Sequence, residues 1–212
     1  PVLLAAGAVG WERWTTSPVG RSAVPLLMAA LLLPFLPLGV PVLKTDKMLA
    51  YCRWLAEDVG LEAPLRWEDG QVYALPQDYA DMFGWRELAE KASRAVRLLR
   101  PGEHPLLYAE NYGQAGALNY YGSEMGLPVA VSFADSYRLW APLHTPATVL
   151  IYVNNELGAD IEALFGDVRL IGQIEHPLAR ERGTGVYLCR APSGEFDALW
   201  NRRVVEVQAS FR

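Results

Sequence analysis

Asn111-Tyr112-Gly113 stand where an apolar run ends and a helix begins. A glycine at such a turn lets backbone N–H groups face an anion, and the helix dipole favours a phosphate there. The turn is not a GxGxxG element, and no Lys or Ser/Thr occupies P-loop positions. A second group, Asp135, Tyr137 and Trp140, follows the next apolar run. Carboxylates and amides fix hydroxyls, and aromatic side chains with a polar tip suit sugar faces. Asn111, Tyr112, Gly113, Asp135, Tyr137 and Trp140 therefore form a candidate substrate-binding set for a sugar or phosphosugar. A plain structural reading stands beside this one. Gly113 would serve a tight turn, Gly116 and Ala117 would let the helix pack closely, and the aromatics, Tyr120 and Tyr121 included, would be core or interface residues.

Other chemistry is thinly represented. Asp78 and Asp81 read as caps and turn formers, and nothing places two carboxylates for acid–base work on a glycoside. His104, His144 and His176 lie near prolines without ligand spacing, so no metal site is expected. Cys52 and Cys189 are far apart and in no CxxC pair. They read as two buried thiols, with a disulfide left chemically open. No nucleophile elbow is present, no cofactor is indicated, and no catalytic residue is assigned.

The elements that must position these residues follow from the hydrophobic pattern. Leu106–Ala109 has strand length, the helix runs from about Gln114 to Tyr121, Gly122 and Gly126 punctuate its end, and Val129–Phe133 is a second apolar run. Strand, turn, helix, strand is a βαβ unit. Ligands in such sheets sit beyond the carboxyl ends of the strands, which would bring Glu110–Gly113 beside Ala134–Tyr137. Further strands are expected at Thr148–Val153, Val168–Ile174 and Gly185–Arg190. Helices are expected at Lys47–Val59, Trp85–Leu99, Gly158–Phe165 and Glu195–Asn201. The expected fold is α/β, a mostly parallel sheet of about five strands flanked by helices.

From Ser22 to Leu43 no residue is charged, and about 20 such residues span a hydrocarbon core. Pro25, Pro34, Pro37 and Pro41 favour a buried core segment instead, but membrane helices tolerate proline better. The segment reads as a final transmembrane helix at 22–43. Pro1–Gly10 reads as the end of another, and Trp11–Arg21 as a link with interfacial tryptophans. The domains are then 1–43, a membrane region, and 44–212, an extramembrane domain. The chain starts in an apolar run without an initiator Met and reads as a fragment or processed form. Its net charge of −5 and scattered basic residues speak against a nucleic-acid partner.

The motifs NYG-x-AGAL-x-YYG (Asn111–Gly122), GLP (Gly126–Pro128) and SY-x-x-WAP (Ser136–Pro142), with LPQDYADMFGW (Leu75–Trp85), resemble the C-terminal extramembrane domain of bacterial family 39 glycosyltransferases. These are relatives of the dolichyl-phosphate-mannose–protein mannosyltransferases. Ala141 departs from the pattern, where glycine is expected. The resemblance implies an integral inner-membrane enzyme that moves a hexose or mannose from a polyprenyl-phosphate donor to an acceptor, with this domain on the periplasmic or outer side. Its partners would be the lipid bilayer and, through the parent enzyme, the sugar donor and an acceptor. The family's catalytic carboxylates lie in an early loop outside these residues, so the domain would support substrate or acceptor binding without catalysing transfer. Two alternatives remain: a membrane-anchored α/β module binding a small polar ligand at the Asn111 turn, and an interaction domain meeting a partner protein through its Tyr and Trp residues.

Overall fold

The computed structural model describes residues 2–15, 17–145 and 147–210, so the expectations for Pro1 and for the last two residues lie outside them. The chain divides into two compact units, Pro1–Pro76 and Gln77–Arg212.

The first unit opens with helices α1 (Val2–Trp14) and α2 (Pro18–Leu32). Ser17 caps α2, its hydroxyl accepting from the Gly20 N–H at 3.0 Å, and Pro18 occupies the first turn, where no donor is lost. Pro25 lies inside α2. Pro34 falls in a tighter turn, Leu33–Phe35, and Pro37 opens the short α3 (Leu36–Gly39). Each proline lacks an N–H, and at Pro34 the chain tightens locally to 3₁₀ geometry. Pro18–Gly39 is thus one apolar helical run, and none of it is buried. It starts before the expected Ser22 and ends before Leu43. α4 (Thr45–Glu57) buries Met48, Cys52 and Leu55 on one face, as its spacing predicts. A small antiparallel bridge, Arg66 with Val72, closes over Gly70, whose φ of +79° suits glycine, and Trp67 stacks on Tyr73.

The second unit is built on a five-stranded sheet of order β2-β1-β3-β5-β4. A single turn, α5 (Gln77–Ala80), precedes α6 (Trp85–Arg97). There follow β1 (Pro105–Ala109), α7 (Tyr112–Gly122) and β2 (Ala130–Val131). A 3₁₀ stretch, Asp135–Trp140, leads to β3 (Val149–Asn154) and α8 (Ala159–Leu164). β4 (Phe165–Gln173), β5 (Gly185–Pro192) and α9 (Phe196–Ala209) complete it. Side chains alternate across the strands. Leu107, Ala109, Ile151, Val153, Val186 and Leu188 pack with α6 and α7 on one face. Leu106, Tyr108, Leu150, Tyr152 and Cys189 pack on the other with Phe196, Trp200 and Val204 of α9.

The expectation of a mostly parallel sheet needs correction: the sheet is mixed. β1 pairs in parallel with β2 and β3, but β5 pairs antiparallel with both β3 and β4. The physical reason lies in the 174–184 connection. Parallel neighbours need a crossover, usually a helix, whereas antiparallel ones can close directly. Here Ile174 N–H donates to the Thr184 carbonyl at 3.0 Å and Gly183 N–H to the Ile174 carbonyl at 2.9 Å, which turns the chain straight back. The second apolar run is also shorter than expected, only Ala130–Val131, and the last helix is longer, reaching Ala209.

Gly84 caps α6 at φ +89°, where a Cβ would stand 2.8 Å from the Ile174 side chain and 3.2 Å from Ala179. Gly84→Ala is expected to lose about 2 kcal/mol or more, from left-handed backbone strain and the contact together. Denaturant unfolding of both proteins measures it. An unchanged midpoint would mean that the turn relaxes freely.

Candidate functional site

β1 leaves the sheet toward α7 on one face. Its neighbour β3 leaves toward α8, whose Ile161 and Leu164 pack against the opposite face. Adjacent parallel strands whose connections part in this way open a crevice at their carboxyl ends. A cleft of about 780 Å³ lies there, on the α9 side, lined among others by Tyr108, Glu110, Phe133, Asp160, Trp200 and Arg202.

Glu110 is the first residue past β1, and it is exposed. The Tyr152 hydroxyl donates to its Oε1 at 3.0 Å and the Tyr108 hydroxyl to its Oε2 at 3.3 Å. Asn154 Nδ2 in turn donates to the Tyr152 hydroxyl at 3.0 Å. Register explains the grouping: Tyr108 and Tyr152 are direct partners across β1 and β3 and point to the same face, with rings 6.0 Å apart. Burial pushes both phenols well above the ordinary tyrosine value, and the Glu110 charge pushes them further. They stay protonated, as donors, and steady the carboxylate. Each carboxylate oxygen keeps lone pairs for another donor. The Trp200 ring lies edge-on to Tyr108 and 4.9 Å from Phe133, with its N–H held by the Pro142 carbonyl at 2.9 Å. Arg202, Arg203 and Glu206 on α9 and Asp160 on α8 line the same cleft. Arg203 pairs with Glu206 at 3.5 Å.

The residues singled out from the sequence take other places. Asn111 caps α7: it is extended (φ −118°, ψ 158°) and its Oδ1 accepts the Gln114 N–H at 2.8 Å. A Cβ on Gly113 would meet Asn111 Oδ1 at 3.3 Å and Trp85 at 3.5 Å, so this glycine lets α7 close on α6. Tyr112 opens α7 and is exposed. Asp135 is exposed with φ +47°, a conformation that Asp tolerates better than most residues. Tyr137 rests over Gly116, its hydroxyl 3.5 Å from Asn119 Nδ2, and meets Trp140 edge-on at 5.5 Å. Trp140 is 67% exposed. Asn111 and Tyr112 thus sit at the start of α7, and Tyr137 packs against its middle. Ala141 has φ −64° and ψ 125°, open to any residue, so glycine is not required there.

Asn119, unnoticed in the sequence, makes paired bonds with the Ala130 backbone, accepting its N–H at 2.7 Å and donating to its carbonyl at 3.0 Å. Gln114 is buried and donates to Glu181 Oε2 at 2.9 Å, while its Oε1 has no partner among the described residues. Asp81 has its carboxyl pushed upward, mainly by burial, although Arg180 stands 3.1 Å away. Cys52 and Cys189 are free and buried, and burial raises their thiols to about 11 and about 12. Among the described residues no three His, Cys, Asp or Glu stand where they could hold a metal.

The two phenols make the pH dependence testable. Their folded-state pKa values lie above the unfolded one, so folding holds these protons tightly. That contribution is full below about pH 10 and is lost as pH rises through the folded values. The stability of the wild type is expected to fall more steeply above about pH 10 than that of Tyr108→Phe/Tyr152→Phe. Urea unfolding across this range checks it, and parallel curves would show phenols that titrate normally.

Compared with models of known protein families, with curated proteins and with solved structures, the chain matches none.

Proposed function

We propose that this is a membrane-anchored α/β domain that holds a sugar-class ligand in the cleft at Glu110, and that it serves as the extramembrane domain of a glycosyltransferase using a polyprenyl-phosphate sugar donor. The observation that carries the ligand reading is the Glu110 carboxylate, held by two protonated phenols at the open end of a cleft with aromatic walls. Its free lone pairs accept from hydroxyls, Phe133 and Trp200 offer apolar ring surface, and Arg202 offers a cation for a phosphate. Charged and polar groups beside aromatic ring surface are what a polar, ring-shaped ligand needs.

Two further features support the setting. Pro18–Gly39 is uninterrupted by charge apart from Arg21 in its first turn, and its 22 residues amount to about 33 Å of helix, against a hydrocarbon core of about 30 Å. Leu26, Leu27, Leu31 and Leu32 all stand exposed on it. Covering such surface is worth about 25 cal/mol per Å². The glycosyltransferase part of the proposal draws on the resemblance of the Asn111–Gly122 and Ser136–Pro142 motifs to family 39. A periplasmic or outer-face position follows from the same resemblance. No residue here is assigned a catalytic role.

Membrane attachment is tested by expressing the full chain and a version beginning at Thr45, then fractionating both. The full chain is expected in the membrane fraction and the shorter one outside it. Equal recovery of both as detergent-free monomers would end the anchor reading.

The cleft is tested by calorimetric titration of the full chain, in a neutral detergent, with mannose and with mannose 1-phosphate. Glu110→Gln is expected to weaken both about tenfold or more, since a hydrogen bond to a charged group contributes about 1.5–3 kcal/mol. Arg202→Gln should weaken the phosphate ester alone. No binding of either probe at millimolar concentration, with the protein folded, would reject the reading.

A further inference from the structure

A second charged hollow, sharing no residue with the Glu110 cleft, lies between α6 and the outermost strand β4. Arg94, Arg97, Leu98, Arg169, Leu170 and Ile171 line it, around about 440 Å³ of open space. Arg94 and Arg97 are one turn apart on α6, and Arg169 reaches the same hollow from β4. Among the described residues none of the three forms an ion pair. Arg97 donates to the buried Ser93 hydroxyl at 2.6 Å, which fixes its guanidinium in place. Among the described residues Glu90, one turn before Arg94, and Asp167, two residues before Arg169, form no ion pair with them; Arg190, beside Asp167 in register, pairs with Glu103 at 2.8 Å.

Three arginines without ion pairs line this one hollow, where like charges repel, although the chain as a whole carries a net charge of −5. One arginine on an exposed edge strand would be enough to discourage strand pairing there. Three from two elements exceed that need. The hollow also has apolar lining: Leu98 at the end of α6 is 49% exposed, and Ile171 on β4 packs partly buried on the α6 face of the sheet. Guanidiniums match phosphate oxygens in geometry as well as charge. We propose that this hollow binds the phosphate of an anionic lipid headgroup, with the arginines on the phosphate and Leu98 and Ile171 against the adjoining apolar part.

The test uses the full chain in neutral detergent micelles, with phosphatidylglycerol mixed in or with inorganic pyrophosphate added, compared with the Arg94→Gln/Arg97→Gln/Arg169→Gln variant. Lipid retention read by native mass spectrometry, and the rise in melting temperature, are the two readouts. The wild type is expected to hold phosphatidylglycerol at least about tenfold more tightly than the triple variant, and increasingly so as salt is lowered. Pyrophosphate binding equal to lipid binding, with both lost in the variant, would show a plain phosphate site and overturn the lipid assignment. Lipid binding unchanged by the triple substitution would place it elsewhere on the chain and overturn the proposal, as would no binding of either probe. If the triple variant does not fold, Arg169→Gln and Arg94→Gln singly are expected to weaken lipid binding, and wild-type affinity in both would be equally decisive.

Discussion

β1 has no free edge and no free face. It is hydrogen-bonded to β2 on one side and β3 on the other, and Leu106 to Ala109 are buried from both faces. No polar side chain can be accommodated along such a strand without losing its water. The first one that can is Glu110, at the point where the chain must leave the sheet. The Tyr108 and Tyr152 hydroxyls solve a related problem: their rings are buried, so their polar tips need a partner. Glu110 supplies it for both. The same constraint that makes β1 apolar therefore collects a carboxylate and two phenols at its end.

The mixed sheet adds a second polar group at that end. Because β5 runs against β3, its first residue, Gly185, pairs with Asn154 at the strand's carboxyl end. The 174–184 connection is thereby carried to the same end, and Glu181 and Thr184 arrive beside Gln114 in the first turn of α7. The Thr184 hydroxyl lies between Asn155 and Glu181. This cluster lies on the α7 side, and the Glu110 group lies on the α9 side. A fully parallel sheet would have sent β5 the other way and left Gln114 without its partner. The edge strand β2 has its own remedy. Alternate residues of a parallel strand turn their N–H and carbonyl outward, and the Asn119 amide satisfies both at Ala130, closing a two-residue edge.

Much of this architecture was legible in the sequence. The βαβ unit, α4, α6 and the apolar helix all declare themselves through local periodicity and glycine punctuation. What escaped depends on information that is not local. The direction of β5 is set by hydrogen bonds that close the 174–184 turn, and its apolar pattern reads alike in either sense. Val129 lies outside β2 and is 77% exposed, although its type predicts burial. α9 is a different case: Phe196, Trp200, Val204 and Val207 recur at helical spacing through the tail, a signal that was present and would have extended the helix. The Glu110 group could not have been found from spacing alone, since Tyr108 and Tyr152 become neighbours only through the β1–β3 register.

The division of labour around α7 bears on how a sequence motif relates to a site. The residues on which the family resemblance rests are those that hold the frame. Asn111 caps the start of α7, Gly113 admits Trp85, and Gly116 admits Tyr137. Each is demanding because a larger or differently shaped side chain would push α7 away from its neighbours. Glu110, Tyr152, Trp200 and Arg202 lie outside those motifs, and only the geometry brings them to one cleft. A cap, a close helix and a sealed edge are what allow one carboxylate to stand in a fixed position at the end of a buried strand. No residue of this frame supplies a group to the Glu110 hydrogen bonds, which come from Tyr108 and Tyr152. The motif identifies how α7 is held, and the carboxyl ends of β1 and β3 place the Glu110 carboxylate and its two phenols together.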